Sequence, residues 1–499
     1  MSKTCEDLFS GIDCSIIGNG NIEVSDIAYR SDRVRPGDAF FCIVGLKVDG
    51  HTFAQDAIDR GARVLVVERK LYLADATDVT EVVVRDTRKA MAEASARFFG
   101  HPSASFDLVG ITGTNGKTTI TYLVEHIVRR TGKRPGVIGT VGIRMGDVVE
   151  KVAHTTPESP DLQNILARMR DAGCDTVAME VSSHALDLER CWGTSFAVTA
   201  FSNLTQDHLD YHKTFEAYFE AKARLFSKDY PAMRVIHIDD PWGKELLRRC
   251  SKTQDTVVTV GFDTTALIHP TAVEYGQEHT ALTLDVKGAA YRLVSPLVGK
   301  FNVDNLMCAF GIALTLGIKP ADIARALEEV PPIPGRLERV SADVEGGFSV
   351  YVDYAHTPDA LEKAILSLKA VTRGKTLVVF GCGGNRDTSK RPLMGRAALN
   401  ADFAIVTSDN PRNEDPLAII GDILPGMRAH PDRFEVEPDR RSAIAQSIRR
   451  AQPHDSVLIA GKGHEDYQVV GDEVLPFDDV VVAAEELRRV QEVAGTPCG

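Results

Sequence analysis

Residues 110–119 read GITGTNGKTT and sit between an apolar run, FDLVGIT (106–112), and a stretch with helical periodicity. A Gly-rich turn between a strand and a helix is the context a phosphate loop needs. The backbone N–H groups of Gly113, Thr114, Asn115, Gly116 and Lys117 can cradle phosphate oxygens, and the helix start adds positive potential. Lys117 can reach terminal phosphates, the Thr118 hydroxyl can hold Mg²⁺, and Thr119 supplies a second hydroxyl. The common phosphate-loop pattern places Gly five residues before Gly-Lys; here that position is Ile111 and the spacing is G-x-x-G-x-x-G-K-T-T.

Other residues could serve the same chemistry. Glu180 closes the strand-like run TVAMEV (176–181), where ligands gather in an open α/β sheet. His208 lies in the loop-like TQDHLDYH (205–212); carboxylate and imidazole are both acceptable metal neighbours, the carboxylate the better one for Mg²⁺. In TFEAYFEAKARLFSK (214–228) the apolar residues Phe215, Tyr218, Phe219, Leu225 and Phe226 form one helical face, and the position completing it is Lys222. Residue types alone allow the bland reading there, a lysine whose stem lies on apolar surface and whose ammonium reaches the rim.

The elements that must carry these residues alternate strand and helix. Residues 1–100 contain strand-like DAFFCIV (38–44), ARVLVVE (62–68) and EVVVRD (81–86), with helical patterns at 51–62 and 86–100 stopping at Gly61 and Gly100. HPSAS (101–105) reads as a linker. In the central region Ile120, Leu123, Val124, Ile127 and Val128 give an amphipathic helix, and GVIGTVGI (136–143), TVAMEV, FAVTAF (196–201) and RVIHID (234–239) read as strands. Helical patterns between them predict a doubly wound, mostly parallel sheet, ending near PPIPG (331–335). The alternation restarts with FSVYVDY (348–354), KTLVVFG (375–381), ADFAIVTS (401–408) and SVLIAG (456–461). These breaks predict domains at 1–102, 103–337 and 338–499.

The 499 residues suit about three domains. A net charge of −13 argues against non-specific nucleic-acid binding, while small anionic ligands need only local positive charge. Nine cysteines without a C-x-x-C pair argue against a disulfide framework or zinc ribbon and suit a reducing cytoplasm. MSKTCEDLFSG does not read as a signal peptide. The most apolar stretch, LMCAFGIALTLGI (306–318), is too short to span a bilayer and reads as a buried helix, so no membrane insertion is expected.

The sequence resembles the Mur ligase superfamily, the ATP-dependent amide ligases of peptidoglycan assembly. The resemblance rests on TGTNGKTT (112–119), HTTPES (154–159), MEVSSHAL (179–186), SNLTQDHLDYH (202–212), KFNVDN (300–305), PGRLE (334–338), VDYAHTPDAL (352–361), GCGGNRD (381–387), SDNPR (408–412) and GKGHEDYQ (461–468), spread over all three proposed domains. It implies a three-domain α/β fold: a small N-terminal uridine-nucleotide domain, a central doubly wound P-loop ATPase-type sheet and a C-terminal Rossmann-like amino-acid domain.

It further implies that Thr118 and Glu180 hold a phosphate-side Mg²⁺, with a second metal near Glu180 and His208. Lys222 is implied to carry a carbamate from CO₂, turning a cation into a metal-side ligand. Asn305, Arg336 and Asp353 are implied to contact ATP, Arg336 only when the domains close. The UDP-dipeptide falls to Tyr29, Ser31 and the Leu46, Lys47 and Val48 backbone, with His154, Thr155, Thr156, Ser182 and Arg190. Where many relatives carry Gln two residues before that Arg, this sequence has Leu188.

The incoming amino acid falls to Arg386, Asp409, Asn410, Pro411, Arg412, Gly461 and Glu465. Carboxylates at 409 and 465 suit an ammonium, and guanidinium groups at 386 and 412 suit carboxylates. The expected reaction adds meso-2,6-diaminopimelate to UDP-N-acetylmuramoyl-L-alanyl-D-glutamate through an acyl phosphate. Alternatives are the same reaction with L-lysine, or a sister ligase adding D-alanyl-D-alanine or building folyl-polyglutamate; the SDNPR and GKGHE pair argues against the sisters. A nucleotide-dependent regulatory protein with a dead site is disfavoured by intact Lys117, Thr118, Glu180, His208 and Lys222. The expected partners are small molecules, and the expected state is a cytoplasmic monomer.

Overall fold

The structure, a computed structural model, describes residues 2–45, 48–71, 78–146, 148–152, 154–251, 256–340 and 347–495, the last five without side chains. By its contacts the chain forms two compact units, residues 1–112, 132–200 and 220–234 in one and 113–131, 201–219 and 235–499 in the other.

The first unit opens with strands β1 (Cys14–Ile17), β2 (Ile27–Ala28), β3 (Ala39–Phe41), β4 (Val64–Val67) and β5 (Thr80–Val84), in sheet order β1-β5-β4-β3-β2. All neighbours are parallel except β1 against β5. Every residue of β4 is buried, as expected of a parallel strand covered on both faces. Helix α1 (Thr87–Phe98) starts where Asp86 accepts the N–H groups of Arg88 and Lys89, a side-chain cap. The expected helix over 51–62 begins instead as a 3₁₀ turn at Gly50–Phe53 and is α-helical only over Ala54–Asp59, because Asp49 accepts the His51 N–H and tightens the start. HPSAS is no exposed linker: Pro102–Ser105 is a 3₁₀ turn with Pro102 and Ser103 buried, and Ser103 accepts the Ser195 N–H.

The same unit holds β6 (Asp107–Thr112), β7 (Pro135–Gly139), β8 (Gly142–Met145), β9 (Val148–Glu150), β10 (Thr176–Glu180) and β11 (Val198–Phe201), ordered β9-β8-β7-β10-β6-β11. Strand β10 is parallel to both β6 and β7. The stretch 136–143, expected as one strand, is broken into the antiparallel pair β7 and β8. Gly142 makes the turn at φ +119°, where a Cβ would stand 2.5 Å from the Glu150 carbonyl oxygen.

In the second unit helix α2 (Lys117–Arg130) follows the Gly-rich loop. Strands β12 (Met233–His237), β13 (Val257–Val260), β14 (Ile268–Tyr275), β15 (Thr280–Val286) and β16 (Ala289–Ser295) neighbour in sequence order, and β14, β15 and β16 are antiparallel. That antiparallel ribbon departs from the expected mostly parallel sheet. The run 306–318 forms most of a buried helix, α3 (Lys300–Thr315), as expected.

The C-terminal sheet comprises β17 (Glu338–Val340), β18 (Ser349–Asp353), β19 (Thr376–Phe380), β20 (Phe403–Val406), β21 (Phe434–Val436) and β22 (Ser456–Ala460), ordered β17-β18-β22-β19-β20-β21 and parallel except at β17. Its two faces carry separate apolar clusters, one around Phe380, Met394 and Ile423, the other around Ile444, Ile459 and Val482. A hairpin of β23 (Tyr467–Val470) and β24 (Glu473–Pro476) turns at Gly471. Among the described residues no helix is long and apolar enough to cross a membrane.

Candidate active site

The phosphate loop leaves β6 with φ +150° at Gly113 and +87° at Gly116. A Cβ at Gly113 would lie 1.9 Å from Ser202 Oγ, and one at Gly116 2.3 Å from Asn305 Oδ1, so bare backbone is required at both. The loop is pinned from 202–205: Asn203 O accepts the Thr114 N–H at 2.8 Å, Asn203 Oδ1 the Asn115 N–H at 2.9 Å, and Ser202 Oγ donates to Asn115 O at 2.6 Å. Lys117 Nζ curls over the loop onto the carbonyls of Gly113 and Thr114 at 2.9 and 2.8 Å. Thr118 and Thr119, in the first turn of α2, are buried.

Arg336 was expected to reach this loop only on closure. It is already there, donating from Nη2 to Thr118 Oγ1 at 2.9 Å, with its guanidinium 4.8 Å from the Tyr354 ring centre. The loop residue behind it, Gly335, runs so close to the GKGHE segment that a Cβ would stand 2.3 Å from the His464 backbone nitrogen. Gly463 meets the Tyr354 backbone with similar closeness. Asn305 donates to Asn302 Oδ1 on α3. Asp353, at the end of β18, uses both carboxylate oxygens on backbone: Leu337 N–H at 2.7 Å and Ala355 N–H at 2.8 Å. Burial pushes its carboxyl up, against the pull of Arg336.

His208 stands at φ +53°, with Nε2 3.3 Å from Asp207 Oδ2 and its ring edge-on to Tyr218. Asp207 is held below the usual carboxylate range: burial opposes this, but the charges of His208, His356 and Lys390 outweigh it. Burial drives the His356 imidazole down, and Lys390 adds to that.

In the other unit Glu180 is buried at the end of β10, accepting the Thr140 N–H at 2.8 Å and the Thr140 hydroxyl at 3.1 Å. Thr140 also meets the Thr155 hydroxyl at 3.1 Å. Thr156 Oγ1 donates to Glu180 O and accepts the Ser182 N–H. Arg190 donates to Thr156 O at 3.0 Å and pairs with Glu158 at 2.8 Å, while its Nε is buried without a partner. HTTPES, MEVSSHAL and Arg190 therefore form one network, with His154 exposed at its edge. Tyr29 donates to Asp161 at 2.6 Å, and Tyr29, Ser31 and Val48 line a cleft of about 440 Å³ with Arg30, Arg88 and Glu158. Leu46 and Lys47 lie outside the described residues. Lys222, on helix α4 (Phe215–Ala223), is 2 % exposed, so its ammonium does not reach a solvent rim.

The loops after β20 and β22 meet. Asp409 and Asn410 are buried; Asn410 Nδ2 donates to Glu465 Oε2 at 2.8 Å, and a Cβ at Gly461 would lie 2.5 Å from Asp409 Oδ2. Arg412, at φ +52°, donates to Gly384 O at 2.8 Å and is backbone-bonded to β23. Arg386 is exposed on the GCGGNRD loop, next to the same Gly383 that Arg412 approaches. Two residues at this junction escaped sequence reading. Lys462 is fully buried beneath Asn410 and Glu465, and Gln468 donates to Asp409 O at 2.6 Å. A lysine flanked by glycines, three residues before Glu465, was the available signal.

A glycine-forced phosphate loop on a doubly wound sheet, with a further α/β domain presenting carboxylates and guanidinium groups from its strand ends, defines a three-domain nucleotide-binding enzyme. Comparison with known proteins narrows the class. Residues 111–313 match the Mur ligase middle domain, 335–463 the Mur ligase, glutamate ligase domain, and 23–99 the Mur ligase family, catalytic domain. The chain is 43% identical over 480 residues to the UDP-N-acetylmuramoyl-L-alanyl-D-glutamate--2,6-diaminopimelate ligase of Syntrophomonas wolfei, covering 93% of this chain and 95% of that protein. It is 44% identical over 472 residues to the ligase of the same name from Geobacillus kaustophilus, covering 93% and 95%. A solved structure of a ligase of that name superimposes with a TM-score of 0.71 at 33% identity, covering 98% of this chain and all of that one. The chain belongs to the Mur ligase family.

Proposed function

We propose that the chain is an ATP-dependent ligase that joins meso-2,6-diaminopimelate to UDP-N-acetylmuramoyl-L-alanyl-D-glutamate in peptidoglycan precursor synthesis. The observation that carries this reading is the meeting of residues 409–412 with 461–465. The buried carboxylate of Asp409 and the half-buried one of Glu465 suit an ammonium, and Arg412 and Arg386 suit carboxylates. Domains at 1–102, 103–337 and 338–499 divide the work among uridine nucleotide, ATP and amino acid.

The reaction must bring a substrate carboxylate to the γ-phosphate of ATP, two anions that repel unless cations stand between them. Lys117 and Arg336 supply fixed positive charge at the phosphate loop. The acyl phosphate formed is then attacked by the amino group of the incoming amino acid, releasing phosphate and leaving an amide. Each donor taken by itself suits Mg²⁺, which prefers oxygen: the Thr118 hydroxyl and the buried Glu180 carboxylate, which this reading assigns to it. Bound there, Mg²⁺ would neutralise developing charge on phosphoryl oxygens. His208 and Lys222, the latter as its carbamate, are the further metal-side groups in this reading. Burial disfavours an ammonium, and a neutral amine adds CO₂ to give a carbamate and a proton. The orphaned Nε of Arg190 offers a donor to an anionic part of the UDP-dipeptide. The enzyme acts on small molecules as a cytoplasmic monomer.

Phosphate release with ATP, UDP-dipeptide and one amino acid at a time tests the reading. Lysine lacks the distal carboxylate and leaves Arg412 without its partner, so diaminopimelate should be preferred by at least ~100-fold in kcat/KM. Equal rates with L-lysine overturn the assigned specificity. No release with any amino acid overturns the ligase reading.

A further inference from the structure

The loop after β22 turns twice within three residues, at Gly461 (φ +119°) and Gly463 (φ +54°). Between them Lys462 is directed inward and is fully buried. A buried ammonium is costly unless its protons are taken up. Here Nζ donates to Asn410 Oδ1 at 3.1 Å and to Glu465 Oε2 at 3.3 Å, and lies 5.5 Å from the Tyr467 ring centre.

These contacts fix more than the lysine. Asn410 Oδ1 accepts from both Lys462 and the Val469 N–H (2.9 Å), which determines which end of the amide is oxygen. Its Nδ2 must then face Glu465 Oε2. Two donors converge on Oε2, which leaves Oε1 to a ligand.

We propose that Lys462 is a positioning residue of the amino-acid site, holding Asn410 oriented and Glu465 ionised to receive the ammonium of the incoming diamino acid. This rests on the reading of residues 409–412 and 461–465 as that site.

On balance the Glu465 carboxyl lies above its ordinary range, and Lys462 is the nearest charge that limits the rise. Glu465 faces Lys462, Asp409, Arg440, Tyr354 and Tyr467. Burial pushes its carboxyl up and Asp409 adds to this, while Lys462 and the Asn410 hydrogen bond oppose them. Without the lysine, the two raising influences act on a carboxylate that has lost its nearest cation. Glu465 then keeps its proton to higher pH and loses the charge that attracts an ammonium.

The test uses the full-length enzyme with ATP and UDP-dipeptide saturating and diaminopimelate varied. Lys462→Met should raise the KM for diaminopimelate about tenfold or more, the scale of lost charge-assisted hydrogen bonds, with the KM for ATP unchanged. The acid limb of kcat/KM for the amino acid should move to higher pH, and Lys462→Arg, which keeps charge and donors, should move it back. A folded Lys462→Met enzyme with the parental KM and pH profile overturns the proposal. If that variant does not fold, carbon-13 NMR titration of the Glu465 carboxyl in the unaltered protein decides: ionisation maintained well below neutrality supports the proposal, and a proton retained at neutral pH overturns it. The outcomes separate from those of the ligase reading. An unaltered enzyme that condenses no diamino acid refutes that reading, whereas the NMR titration still reports on Lys462 and Glu465.

Discussion

Lys222 shows how burial turns an ordinary side chain into a chemical question. With 2 % of its surface exposed, its ammonium sits where burial disfavours charge, and carbamylation would replace that cation with an anion suited to a metal. Lys222→Ala should lose most ligase activity while ATP binding, measured by calorimetry, stays nearly unchanged; acetate or formate should restore part of the activity by filling the vacated space. Carbon-13 NMR of protein equilibrated with labelled CO₂ checks the modification directly, and absence of a carbamate signal with Mg²⁺ and nucleotide present refutes it. Single residues were legible where chemistry demands a rare type at a fixed place: Gly113, Gly116, Lys117 and Thr118 needed only their spacing. Lys462 was not, because a lysine in a Gly-rich loop looks solvent-facing until the hairpin of β23 and β24 is seen to cover it. Nor could a sequence show that Asp353 spends both oxygens on the backbone N–H groups of Leu337 and Ala355.

Buried strands announced themselves as continuous apolar runs, which is why β4, β10, β19 and β22, buried throughout, and β6, buried but for Asp107, fell where the sequence put them. The ribbon of β14, β15 and β16 is unevenly covered, β15 mostly buried but β14 and β16 largely not, so it shows no continuous apolar run and gives a weaker signal. Its turn carried the missed clue. Lys287 at φ +54° and Gly288 at φ +85° form a two-residue hairpin connection of the kind that needs positive φ at both places. A β-branched residue is strained there, by about 1–3 kcal/mol. Gly288→Val should lower the melting temperature accordingly and leave kcat below that temperature unaltered; a melting curve superimposable on the parent's refutes the turn assignment.

Across the whole molecule, the last helix, α5 (Asp479–Gly495), is tied to the C-terminal sheet through one fully buried ion pair. Arg440 meets Asp479 with two hydrogen bonds, at 2.8 and 2.6 Å, and donates a third to Ala460 O, immediately before the Gly461 loop. Removing one partner of such a pair strands the other charge and costs about 3–5 kcal/mol. Asp479→Ala should show that loss in denaturant unfolding, whereas Arg440→Met combined with Asp479→Leu should be far milder; equal losses refute the account. The repeated alternation of strands and helices was legible from apolar runs and turn residues, but the pairing of loops distant in sequence was not, since it depends on tertiary closure. The meeting of Gly335 with residues 463–464 is such a pairing, and it bears on how this chain can change over generations. At both glycines a new side chain would collide with backbone, which cannot swing aside as a rotamer can. Neither loop has latitude to drift alone, so the segment that carries Arg336 and the segment that carries Glu465 are bound to a shared evolutionary fate.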